Sequence, residues 1–257
     1  VSALYDDPWF YDLQHDGYRA DLGFYRRLVQ DQAGSVLELG AGTGRVTLAL
    51  AGLGHDVVAV EPSDAMRQRG EERLAQARAE ARSPEARAAL DRVRFVAGDA
   101  RTLALDERFA LVIAPFNTLM HLERLDDQDA ALRVARAHLA PGGAFACDVF
   151  VPRFGPDGVV RVEPVWTPVG GARADLFLWQ HHDPVAQLIV SEHRLDERAD
   201  DGRLTRRSAT LRQRYFQRFE LERALAAAGF RDVRSYGDFE RGPVRATSEV
   251  WCFIARA

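Results

Sequence analysis

The stretch Val36-Leu37-Glu38-Leu39-Gly40-Ala41-Gly42-Thr43-Gly44-Arg45 runs from an apolar segment into glycines at alternate positions. Ser35–Leu39 reads as a buried strand and Arg45–Leu53 as a helix. Glycine between them permits positive φ and lets a ligand approach the main chain closely. In parallel α/β sheets, ligands bind at the carboxyl ends of the strands, near a switch in strand order. A second strand, Asp56–Val60, leads to Glu61. An acid about twenty residues beyond such a loop can accept hydrogen bonds from ribose hydroxyls. A dinucleotide fingerprint has the spacing G-x-G-x-x-G. Here the third glycine comes one residue earlier, at Gly44, and the bulky Arg45 follows. Glu38, just before the loop, suits a cationic or amino-bearing ligand.

Strands and helices alternate outward from this loop. Ser63 reads as the cap of a helix reaching about Arg82, and Pro84 as the start of a shorter one. Val93–Val96, Phe109–Ala114 and Ala144–Val151 read as further strands. Gln128–Leu139 has helical spacing, and Pro141-Gly142-Gly143 is expected to break it. This alternation implies parallel βαβ units with helices on both faces. The pattern changes after Phe150. Ala174–His182, Gln187–Glu197 and Arg203–Tyr215 read as antiparallel strands, with turns at Asp183-Pro184 and Asp201-Gly202. A helix at Glu220–Ala228 stops at Gly229, and Arg231–Tyr236 with Ser248–Ala255 form a last strand pair.

The charged residues are 34 basic against 38 acidic, and no lysine occurs among them. That excludes a Schiff-base lysine, a Walker phosphate loop and a protein kinase. The net charge of −4 argues against general polyanion binding. Cys147 and Cys252 sit in apolar runs, so buried reduced thiols are expected, with no metal site. No apolar run is long enough to span a membrane, and a cytoplasmic enzyme is expected.

VLELGAGTGRVT, VVAVEPSDAM, VRFVAGDA, FALVIAPFNTLMHL and LAPGGAFACDVF occur in this order. They resemble the successive motifs of class I S-adenosylmethionine-dependent methyltransferases. YDLQHDGY near the N-terminus and the β insertion resemble the small-molecule branch, the amino-sugar N-methyltransferase and glycine N-methyltransferase-like enzymes. The resemblance implies an α/β fold with a Rossmann-like seven-stranded sheet of order 3-2-1-4-5-7-6. An antiparallel β insertion would precede the last helix and hairpin. The implied organisation is an N-terminal helical segment over the cofactor site (1–34), a cofactor-binding core (35–150), a β insertion for acceptor recognition or dimer contact (151–216), and a closing helix and hairpin (217–257).

The resemblance also implies roles. Glu38 and the loop residues Gly40, Ala41, Gly42 and Gly44 would hold the methionine part of S-adenosylmethionine. Glu61 would bind the ribose hydroxyls, and Met66 would lie against the adenine. Asp99 would accept from the adenine amino group, beside the Ala100 amide. Pro115, Phe116 and Asn117 would face the methyl-transfer centre. The reaction would be in-line displacement of the methyl group onto an N or O atom of a small molecule. Any proton would be taken by His, Tyr or a carboxylate, since lysine is absent. His121 is the first candidate, and Tyr11, His15 and Tyr18 form a second group. Trp166, Phe177, Trp179, His181 and Tyr215 could line the insertion's acceptor face, with Arg206, Arg207, Arg212 and Arg214 to grip an anion. The partners expected are a small-molecule acceptor and a second copy of the chain, with no membrane and no nucleic acid. RNA or protein methylation and a non-catalytic cofactor-binding regulator are the alternatives. Arg45 disfavours a nicotinamide oxidoreductase.

Overall fold

The computed structural model describes residues 2–32, 34–154, 160–163, 173–199 and 201–257. In chain order the elements are β1 (Ser2–Ala3), α1 (Pro8–His15), α2 (Leu22–Asp31), β2 (Val36–Leu39), α3 (Arg45–Ala51), β3 (Val57–Glu61), α4 (Asp64–Glu80) and α5 (Pro84–Asp91). Next come β4 (Val93–Ala97), β5 (Phe109–Ala114), a 3-10 turn (Thr118–His121), α6 (Leu125–Ala137) and β6 (Leu139–Phe150). The chain continues through β7 (Val160–Glu163), β8 (Arg173–Asp183), β9 (Leu188–Arg198) and β10 (Leu204–Arg214). It closes with α7 (Arg218–Ala227), β11 (Arg231–Tyr236) and β12 (Val250–Arg256). These elements form two compact units. The first takes Val1–Tyr18 and Arg153–Tyr215, and the second takes Arg19–Pro152 and Phe216–Ala257.

The second unit is built on a seven-stranded sheet of order β11-β12-β6-β5-β2-β3-β4. Counted among the strands of this sheet alone, that is the expected order 3-2-1-4-5-7-6. β2, β3, β4, β5 and β6 pair in parallel, and β12 is antiparallel to both β6 and β11. Consecutive residues Val57, Val58, Ala59 and Val60 are all buried, as are Leu111, Val112, Ile113 and Ala114. Neighbours along a strand point to opposite faces, so both faces of the sheet are covered. Each large apolar side chain buried there contributes roughly 1.5–3 kcal/mol. α4 begins where expected, with the Ser63 hydroxyl accepting from Met66 N–H at 3.3 Å. One boundary needs correction. Pro141-Gly142-Gly143 does not separate helix from strand. α6 ends at Ala137, and β6 already begins at Leu139 and runs through the glycines. The sheet absorbs them by a register shift between Phe109 and Leu111 on β5 and by positive φ at Gly142.

The first unit is a five-stranded sheet of order β1-β10-β9-β8-β7 with α1. The three long strands pair antiparallel as expected. Asp183 Oδ1 accepts from the Val185 and Ala186 amides in one turn, and Asp201 Oδ1 accepts from Arg203 N–H in the other. Asp7 caps α1 by accepting from Phe10 N–H at 3.0 Å, and Pro8 occupies the first helical position. Phe10 and Leu13 of α1 pack with Leu4, Leu176, Leu195 and Ala209. β1 lies parallel to β10, so the sheet is not wholly antiparallel. The N-terminal segment 1–34 therefore divides, α1 falling in this unit and α2 in the other. Trp166 lies outside the described residues. Among the described residues, no helix is long and apolar enough to cross a membrane.

Candidate active site

The glycine loop leaves β2 at its carboxyl end. Gly40, Gly42 and Gly44 all have positive φ, at 69°, 59° and 83°. A Cβ at Gly40 would lie 2.6 Å from Thr118 Cγ2, so the turn after β5 closes directly on the loop. A Cβ at Gly44 would lie 2.9 Å from the Phe95 ring, and Gly44 is the left-handed cap of α3. Glu61, at the end of β3, is buried. Its Oε2 accepts from Gly42 N–H at 2.8 Å and its Oε1 from Ser63 N–H at 2.9 Å. Burial pushes its pKa up, and the two backbone donors oppose that. Each oxygen keeps a lone pair, so the carboxylate can accept from two neighbouring hydroxyls at once. Met66 is buried, with its Cε 3.6 Å from where a Gly42 Cβ would stand.

Beneath the loop lies a buried polar cluster. Glu38 is 1% exposed and accepts from the Thr47 hydroxyl at 2.6 Å. Burial raises its pKa to about 8, against the hydrogen bond from Thr47 and the charge of Arg45. Arg45 forms a two-pronged pair with Asp21, at 2.7 and 2.6 Å, and Asp21 is fully buried. The guanidinium lies 4.8 Å from the centre of the Phe116 ring. The bulky side chain that breaks the dinucleotide pattern thus fastens the loop to the residue that caps α2 and to the turn that follows β5.

Pro115 is buried, and Phe116 and Asn117 both take left-handed backbone after it. His121, half-buried, ends the 3-10 turn that follows. Beyond β4, Asp99 is engaged by its near neighbour Arg101. The Arg101 side chain reaches both carboxylate oxygens at 2.5–3.1 Å, and its N–H donates at 2.8 Å. Arg101 also contacts Asp127 at 3.2 Å. The Arg101 side chain holds the Asp99 carboxyl below its usual pKa. A ligand amino group would therefore meet an ionised carboxylate already shared with an arginine. Ala100 sits half-buried in the same turn.

The second unit thus carries Glu38, the loop, Glu61, Met66, Asp99, Ala100, Pro115, Phe116 and His121. Tyr11 and Tyr18 belong to the first unit. Tyr11 packs on the Leu4–Phe10 cluster, its ring centre 4.7 Å from that of His15. Asp21, Thr47 and Arg101 beside the loop were not expected from the sequence, and neither was the buried pair in which the Tyr25 hydroxyl donates to Asp148 Oδ1 at 2.5 Å. A carboxylate inside the apolar run Phe145–Phe150 was the available signal for Asp148. Cys147 and Cys252 are buried free thiols, and burial pushes both pKa values up.

The glycine cradle and the doubly held Glu61 fit the methionine and ribose parts of S-adenosylmethionine. A family model described as a methyltransferase domain matches residues 13–235. The dTDP-3-amino-3,6-dideoxy-alpha-D-glucopyranose N,N-dimethyltransferase of Streptomyces fradiae is 30% identical over 240 residues, covering 85% of this chain and 81% of that protein. The cypemycin N-terminal methyltransferase of a Streptomyces species is 35% identical over 119 residues, 46% of this chain and 42% of that protein. That second match thus spans less than half of either protein. Among solved structures, the CcbJ methyltransferase from Streptomyces caelestis superposes with a TM-score of 0.79 at 30% identity, over 99% of this chain and 94% of that one.

Proposed function

This chain belongs to the methyltransferase family, and we propose that it moves the methyl group of S-adenosylmethionine onto an amino group of a small, sugar-bearing molecule. The observation that carries the acceptor class is the 30% identity, over 85% of the chain, to an amino-sugar N,N-dimethyltransferase. Bound S-adenosylmethionine supplies an electrophilic methyl, so the hard chemistry is the cofactor's. The chain's own residues bind and orient. Glu61 accepts from the ribose hydroxyls, the Gly40–Gly44 loop admits the methionine part against the main chain, and Met66 packs on the adenine. Glu38 sits beneath the loop as a buried acid that a cationic ligand would draw into its ionised form. Holding acceptor and donor in line can lower the barrier by several kcal/mol.

An amine must arrive neutral and give up a proton after transfer. His121, Tyr11 and Tyr18 are the groups proposed to take it. The insertion is assigned to acceptor choice, supported by the aromatic side chains of Phe177 and Trp179 on one face of its sheet. We place the reaction in the cytoplasm, without nucleic acid, and allow a homodimer.

A second reading, transfer to a peptide α-amine, has the shorter match to the cypemycin enzyme in its favour. Competition among acceptors separates the two. With deuterated-methyl S-adenosylmethionine, label is expected on a dTDP-linked amino sugar in preference to a short peptide or tRNA. Label on the peptide or tRNA alone would refute the sugar reading. Alanine at His121 is expected to lower turnover without weakening S-adenosylhomocysteine binding. Wild-type turnover would remove His121 as the proton acceptor.

A further inference from the structure

Two consecutive non-glycine residues at the carboxyl end of β5 hold left-handed backbone, Phe116 at φ 54° and Asn117 at φ 64°. Such strain persists only where the surroundings over-determine it, and it concentrates at functional sites. The surroundings here converge on Asp148, near the end of the neighbouring strand β6. Its Oδ1 accepts from Phe116 N–H at 2.8 Å and from the Tyr25 hydroxyl at 2.5 Å. Its main-chain carbonyl accepts from Asn117 N–H at 3.2 Å. Asn117 Oδ1 returns the link by accepting from Phe150 N–H at 2.8 Å. Asp148 is 3% exposed, and Tyr25 is fully buried.

A buried carboxylate is costly unless it is well satisfied, and an apolar side chain would ordinarily pack at less cost. The nearby charge of Arg45 favours the ionised form, but the guanidinium itself makes its two-pronged pair with Asp21 and lies over the Phe116 ring. What the carboxylate does make is a fixed acceptor for the amide of the strained residue. We propose that Asp148, oriented by Tyr25, is a positioning residue for methyl transfer. It locks the Phe116–Asn117 turn, so that this strand end meets the acceptor in a single geometry. The clamp stands on the hydrogen bonds alone, and the reaction it serves rests on the function proposed above.

The test compares wild type with Asp148→Leu, Asp148→Asn and Tyr25→Phe. Three quantities are read: amide hydrogen exchange in residues 115–119, S-adenosylhomocysteine affinity by calorimetry, and kcat on a dTDP-linked 3-amino-3,6-dideoxy sugar. Asp148→Leu is expected to speed exchange at Phe116 and lower kcat, each about tenfold or more, with the Kd within about threefold, since small misplacements near the reacting atoms cost rate rather than cofactor binding. Asp148→Asn is expected to recover most of kcat, because its side-chain carbonyl can accept the same N–H. Tyr25→Phe is expected to give an intermediate loss. Unchanged exchange and kcat in Asp148→Leu would overturn the proposal. So would equal losses of cofactor affinity and turnover, which would mark a general structural role. If the leucine variant fails to fold, Tyr25→Phe decides, and unchanged exchange and kcat there overturn the clamp. A wild-type enzyme that leaves the sugar unmethylated would sink the acceptor reading instead, and the exchange data would still judge the clamp.

Discussion

Glu61 shows how much one side chain can settle. Each of its oxygens accepts one backbone N–H, so the carboxylate is aimed before any ligand arrives. Glu61→Gln would turn an amide N–H toward one of those donors. The expected result is S-adenosylhomocysteine binding weaker by about 10–100-fold, the range for losing a charged hydrogen-bond acceptor. Calorimetry reads this directly. Glu38 makes a prediction of a different kind. Its folded pKa, about 8, lies above the ordinary 4.5. The stability tied to it is fully present below pH 4.5 and is lost as pH rises through 8. Thermal melts of ligand-free protein should therefore fall across that window, and Glu38→Gln should flatten the slope. An identical slope in the variant would refute the assignment. Spacing from the glycine loop made Glu61 legible in the sequence. Tyr25 and Asp148 were not, because they meet across 123 positions, and no local pattern encodes such a pairing.

The loop passes into α3 through a left-handed residue, Gly44. Gly44→Ala would strain that cap by roughly 1–2 kcal/mol, before the Phe95 ring 2.9 Å away is displaced. A lowered melting temperature together with weaker cofactor binding is expected, and an unchanged melt would contradict the strained geometry. Strands of the parallel sheet were legible because burial on both faces writes nearly unbroken apolar runs. Elements that depend on their neighbours were harder to read. Pro141-Gly142-Gly143 looked like a stop, yet β5 carries that segment as strand through a shifted register. β1 is only two residues long, and its pairing with β10 has no hydrophobic period to announce it.

For the molecule as a whole, the order of the seven strands could be argued from motif succession alone. The allotment of the N-terminus could not. α1 joins the insertion through apolar contacts with strands far along the chain, and helical periodicity names an apolar face without naming its partner. The join is also polar. His193 of β9 is buried, with Nδ1 2.6 Å from Gln14 Oε1 on α1. Gln14 Nε2 donates to the Phe10 carbonyl, so its oxygen must accept and Nδ1 must carry the proton. Burial lowers the His193 pKa from 6.5 to about 4. The associated stability is present above pH 6.5 and is lost as pH falls toward 4. Amide exchange in α1 and β9 should quicken over that interval, and less so in His193→Gln. Equal acid sensitivity in both proteins would count against it.

Transfer to nitrogen can be separated from transfer to oxygen with one pair of acceptors. Deuterated-methyl S-adenosylmethionine is offered with a dTDP-linked 3-amino-3,6-dideoxy sugar and, separately, with its 3-hydroxyl counterpart, and the products are weighed by mass spectrometry. Labelled methyl is expected on the amine and none on the hydroxyl compound. Label on the hydroxyl compound at a matching rate, or on neither compound while the cofactor binds, would contradict that expectation.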